Sequence, residues 1–189
     1  MPLRDDEEML RITSTRGPDH EPVCMLSWGP LQWYAPVADI REAALDLLDC
    51  AAYAEFMMVL VVTVKLPPDV VSRATGEMLA GRDKPYFGTK TTVTMTSAGD
   101  SKRRQPLVLL KRGSHDGAVT PARAREMALA WLETAAGTDT DQLLSAALRE
   151  AQIGEDQQDM LFALMMQMRA ARDGDDEVDE EAARLAREG

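Results

Sequence analysis

The sequence predicts an α+β protein, a tandem pseudo-repeat of β-β-β-α units with additional helices and an acidic C-terminal tail. Three observations carry this. The stretch "VADIREAALDLLDCAA" (37–52) is echoed 84 residues later by "PARAREMALAWLETAA" (121–136). The echo extends beyond the helix at the same offset, Pro22 matching Pro106 and Gly29 matching Gly113. Each echo also follows short alternating or apolar runs separated by turn residues, the pattern of small antiparallel strands.

Each unit opens on an alternating stretch, "MLRITST" (9–15) or "TTVTMTS" (91–97). In the second, Val93 and Met95 fall on one face and Thr92, Thr94 and Thr96 on the other, as in a strand with one wet side. After a polar loop come "VCMLSW" (23–28) and "LVLLK" (107–111), apolar on both faces and so expected to be central and covered on both sides. Turns at Gly29-Pro30 and Gly113-Ser114 lead to third strands, "LQWYA" (31–35) and "GAV" (117–119).

The helices follow. In the first, Ile40, Ala44, Leu47, Leu48, Ala51, Ala54 and Met58 form an apolar stripe at helical spacing, opposite a wet stripe of Asp39, Glu42, Asp46 and Asp49. In the second, Ala124, Ala128, Trp131, Leu132 and Ala135 take the buried side. Thr120-Pro121 is a start signal and Gly137 a stop. The first helix is expected to continue through "MMVLVVTVKL" to Pro67-Pro68, and a shorter helix to run from Pro68 to Ala80. The second unit gains its own extra helix, Asp139 to Gln152. The expected organisation is then 1–88 and 89–154 for the two units with their extra helices, 155–172 for an appended Met-rich helix, and 173–189 for the tail. The tail holds eight acidic residues against two arginines, more than half of the net charge of −11, and is expected to be disordered or a frayed, solvated helix.

That charge argues against a general binder of nucleic acid or of membrane surfaces, since polyanions are repelled at long range. The most apolar run, "FMMVLVVTV" (56–64), is too short to span a bilayer, and "MPLRDDEEML" has no apolar signal core. Two cysteines, Cys24 and Cys50, make no disulfide framework. The expectation is a soluble, cytoplasmic chain. Hairpin-then-helix units ending in "AREMALAWLETAA" resemble small proteins of high-GC genomes and their phages, a resemblance that names no family and gives no residue a role.

Catalysis needs groups with separated pKa values held within reach of one another, and this chain offers few. Cys24 with His20 could form a nucleophile pair, but a buried inert cysteine beside a loop histidine is the plainer reading. His20-x3-Cys24 supplies only two metal ligands, "GRDKPYFGTK" (81–90) lacks the phosphate-loop spacing, and no G-x-S-x-G elbow occurs. No enzymatic activity, cofactor or metal is expected. The polar feature that stands out is basic: Lys102, Arg103 and Arg104 in the second unit's first hairpin, with Lys111 and Arg112 at its far end. Three-stranded sheets backed by a helix can read a DNA groove. Trp28, Trp33 and Tyr34 cluster in the first unit, as sheet packing or a binding platform. The appended helix aligns Met160, Leu161, Leu164, Met165 and Met168 on one face, widened by Phe162 and Met166, and methionine suits surfaces that accept partners. The expected function is therefore a non-catalytic interaction or assembly protein, of the accessory kind a phage or mobile element carries. It would act by self-association or on a protein partner, through that helix and a sheet surface. The alternative is a nucleic-acid-binding regulator using the hairpin at 92–112, which the net charge disfavours.

Overall fold

The computed structural model describes residues 10–80, 93–100, 104–169 and 171. The fold is α+β, with two three-stranded antiparallel sheets and four helices among the described residues. Strands β1 (Arg11–Arg16), β2 (Pro22–Trp28) and β3 (Leu31–Ala35) form the first sheet in that order, and β4 (Thr94–Asp100), β5 (Gln105–Arg112) and β6 (His115–Val119) form the second. Helix α1 (Val37–Val62) follows β3, α2 (Pro68–Ala80) follows α1, α3 (Pro121–Glu150) follows β6, and α4 covers 155–169. The chain forms two compact units, Met1–Thr140 and Asp141–Gly189. The predicted tail lies outside the described residues.

The hairpins form where the turn chemistry puts them. Trp28 pairs with Leu31 and Arg112 with His115, so Gly29-Pro30 and Gly113-Ser114 are two-residue loops. The first residue of each has positive φ, +55° at Gly29 and +58° at Gly113. That is the pattern of a type II′ turn, in which glycine meets no steric penalty.

In the first compact unit the sheets and helices share one apolar cluster. Cys24, Leu26 and Trp28 enter it from β2, Val93 and Met95 from β4 and its approach, and Val108 and Leu110 from β5. Ile40, Ala44, Leu47, Cys50, Ala51 and Ala54 enter from α1, and Ala124, Ala128, Trp131 and Ala135 from α3. The predicted stripes are thus the buried faces, with Leu48, Met58 and Leu132 at their half-buried margins. Helix α1 packs chiefly on β4 and β5, not on the sheet that precedes it.

Three expectations need correction. Gly137 does not stop a helix, and no separate helix begins at Asp139: α3 runs unbroken from Pro121 to Glu150. The Thr120 hydroxyl does accept from the Arg123 N–H at 3.2 Å, the expected cap. An interior glycine costs a helix about 1 kcal/mol, but the residues after it are anchored. Thr138 meets Cys24, and Asp139 pairs with Arg41. Second, β5 is central but not covered on both sides, because Leu109 is 40% exposed between buried Val108 and Leu110. Third, Asp39, Glu42, Asp46 and Asp49 are not a free solvent face: all four are half-buried and each has a partner.

Trp131 is the largest fully buried side chain. Trp131→Ala should cost about 3–5 kcal/mol of unfolding free energy. Leu129→Ala, two residues away and 57% exposed, should change it by less than about 0.5 kcal/mol. Denaturant melts of both variants check the contrast.

Candidate functional site

Two ion pairs join α1 to α3. Arg125 grips Glu55 through both guanidinium nitrogens, at 2.8 and 2.5 Å, and Arg41 pairs with Asp139. Arg41 and Arg125 are 84 residues apart, and so are Glu55 and Asp139. The pairs are therefore reciprocal: the arginine near the start of each helix reaches the acid further along the other. The sheet ends cross in the same sense. Trp28 lies against Gly117, where an added Cβ would come 3.3 Å from the indole, and the Arg112 guanidinium sits 3.9 Å from the centre of the Trp33 ring. Trp28 and Arg112 again stand 84 apart, as do Trp33 and Gly117. The His115 ring touches Trp28 at a centroid distance of 5.9 Å. Of the three clustered aromatics, Trp28 is buried and Trp33 half-buried, both engaged across the sheets, while Tyr34 is exposed.

Both cysteines are buried. The Cys24 sulfur lies 3.4 Å from the Thr138 hydroxyl, and His20 stands in an exposed turn with φ +59°. Burial raises the Cys24 thiol pKa above its ordinary value and pushes Cys50 up to about 11. Among the described residues no cluster of three or more His, Cys, Asp or Glu side chains could hold a metal ion.

The described basic residues, Arg104, Lys111 and Arg112, are not gathered in one place. Lys102 and Arg103 lie outside the described residues. Arg104 precedes β5, while Lys111 and Arg112 end it, with roughly 25 Å of strand between them. Arg104 and Lys111 are exposed; Arg112 is half-buried on Trp33.

In the second compact unit, Arg169 at the end of α4 grips the buried Asp141 through two hydrogen bonds, 2.7 and 2.6 Å. At the other end the Gln158 amide donates to the Ile153 carbonyl at 2.7 Å. Gln158, Phe162, Met165, Met166 and Arg169 are buried or half-buried. Met160, Leu161, Leu164 and Met168 are exposed, by 73, 41, 52 and 65%. The helix is apolar on two sides, and Met165 belongs to the covered one.

One feature escaped the sequence reading, a cleft of about 670 Å³ lined by α1, α2, β4 and Arg104. Its signal was Lys65, placed just before Leu66-Pro67-Pro68, where a helix must end. No helix among the described residues is long and apolar enough to cross a membrane. The chain matches no known family model, no curated protein and no solved structure.

Both thiols should resist a disulfide-exchange probe in the folded protein. At pH 8 a thiol of pKa about 11 is thiolate in only about one molecule in a thousand, and its sulfur is shielded. Slow labelling that becomes immediate in guanidinium is the expected outcome; fast native labelling would contradict the burial. A second measurement addresses Glu55, whose carboxyl is held below its ordinary 4.5 by the Arg125 hydrogen bonds. A depressed carboxyl stabilises the fold above 4.5 and loses that contribution as pH falls through its folded value. Both side chains are more than a third exposed, so Glu55→Gln should cost only about 0.2–1 kcal/mol at neutral pH. The gap to wild type should close in acid. A gap that stays constant with pH would mean the ion pair contributes nothing.

Proposed function

We propose that this is a non-catalytic assembly protein whose contact surface is the outward face of α4. The observation that carries this is the exposure of Met160, Leu161, Leu164 and Met168 on a helix fixed at both ends. Met160, Leu164 and Met168 recur every four residues and so form a stripe along the helix. Soluble monomers rarely leave large contiguous apolar patches open, and methionine adapts to a partner's shape. A stripe of this kind is self-complementary in a two-fold pair, the commonest oligomeric arrangement. The first partner we assign is therefore a second copy of the chain. The basic residues support a nucleic-acid function less well, being split between the ends of β5 with Arg112 engaged by Trp33.

The finer architecture belongs to the same proposal. We read the two β-β-β-α stretches as duplicated units that together make one scaffold. The shared 84-residue offset of the ion pairs and of the crossed sheet-end contacts supports that reading.

The test is sedimentation equilibrium of the full chain and of a variant carrying Met160→Glu, Leu164→Glu and Met168→Glu. The wild type should pass from monomer to dimer mass with rising concentration, while the variant stays monomeric with unchanged helical circular dichroism. A wild type that is monomeric up to millimolar concentration, or a variant that still dimerises, sinks the proposal.

A further inference from the structure

The cleft between α1, α2 and β4 is a second candidate for binding, of a different kind from the α4 surface. Its floor is apolar: Met57, Met58 and Val61 from α1 and Val71 from α2. Its volume of about 670 Å³ falls within the range of small-molecule sites, which are largely apolar with a few placed polar groups. Ser72 and Ser97 also line it, and its charged groups are Lys65 and Arg104. Most of the chain's charge is negative, and Arg41, Arg123, Arg125 and Arg169 all pair with acids. Lys65 and Arg104 are exposed and have no ion-pair partner among the described residues.

Both residues also take left-handed backbone, as His20 and Gln152 do elsewhere in the chain. Helix α1 unwinds beyond Thr63, and the Leu66 N–H bonds back to the Leu60 carbonyl at 3.1 Å. Lys65 takes φ +62° within that turn, and Arg104 takes φ +51° where the chain enters β5. Left-handed backbone is where glycine is favoured, and a side chain there is strained. Strain held at a binding site by its surroundings is a recurrent functional feature. Here it accompanies two cations that line one apolar cleft and have no ion-pair partner among the described residues.

We propose that this cleft binds a long-chain carboxylate, its chain along the Met57, Met58, Val61 and Val71 surface and its charged end met by Lys65 and Arg104. An apolar tail supplies area to bury, and an anionic head supplies a counter-charge for the two cations.

Palmitate titrated into the full-length protein by calorimetry tests this, with hexadecanol as the uncharged analogue. The variant Lys65→Gly with Arg104→Gly removes both charges while relieving the left-handed strain, so its melting temperature should hold or rise. Palmitate should bind the wild type with one-to-one stoichiometry, and both hexadecanol binding and palmitate binding to the variant should be weaker by on the order of tenfold. The variant Met160→Glu, Leu164→Glu, Met168→Glu should bind palmitate as the wild type does, which separates this site from the α4 surface. Four results overturn the proposal. They are no palmitate binding, equal affinity for hexadecanol, undiminished affinity in the glycine variant, and co-sedimentation with phosphatidylglycerol vesicles in place of binding to free palmitate.

Discussion

The first compact unit depends on one constraint: α1 covers a sheet other than the one it follows. A three-stranded sheet of short strands has a single face to bury and little area with which to bury it. Helix α1 spends its apolar stripe on β4 and β5, and Thr138 of α3 meets Cys24 of β2. Neither half of this unit therefore closes a core from its own residues. Leu26 and Trp28 share one apolar cluster with Met95 and Leu110 because helices from both halves stand among them. The ion pairs at Arg41 and Arg125 act on top of this burial. Being partly exposed, they contribute little energy; what they fix is the register of the two helices.

The crossed contacts fit a different partner to a tryptophan ring at each sheet end. At one sheet end a tryptophan, Trp28, lies on Gly117, where even one added carbon would crowd the indole. At the corresponding place the large ring belongs to Trp33, and Arg112 lies over it. The residue opposing each ring differs accordingly: glycine where a ring must come close, a cation where a ring face is offered. Both arrangements preserve close packing, which tolerates neither voids nor overlap. A comparison of the two halves residue by residue sees only mismatches at these positions.

That explains what was legible in the sequence. Strand order, both two-residue turns and the start of α3 are local properties, written in alternation, glycine placement and the Thr120-Pro121 cap, whereas α1 ends at Val62, short of the expected Pro67-Pro68. The fate of Gly137 was not local. Its propensity argues for an end, yet Thr138 and Asp139 are held by Cys24 and Arg41, both remote in sequence. The alternation along β5 was hidden because Leu109 is apolar yet exposed. Lys111 and Arg112 differ for a similar reason: they look alike in sequence, but one faces solvent and the other lies on a tryptophan. The cleft was invisible because its walls come from three separate elements. The Met-rich helix was legible as a helix, but its spacing could not say which of two apolar sides would be covered.

The covering of α4 turns on the ion pair at its end. Asp141 is fully buried, and a buried carboxylate without a partner is costly. Arg169 satisfies both of its oxygens, so rotating α4 to bring Met160, Leu164 and Met168 inward would strip Asp141 of its guanidinium. Apolar burial alone would not choose so firmly, since Phe162, Met165 and Met166 on one side and Met160, Leu164 and Met168 on the other offer comparable area. The charge pair breaks that near-degeneracy. It holds a helix that would be marginal in isolation in one rotational setting, with Met160, Leu164 and Met168 outward.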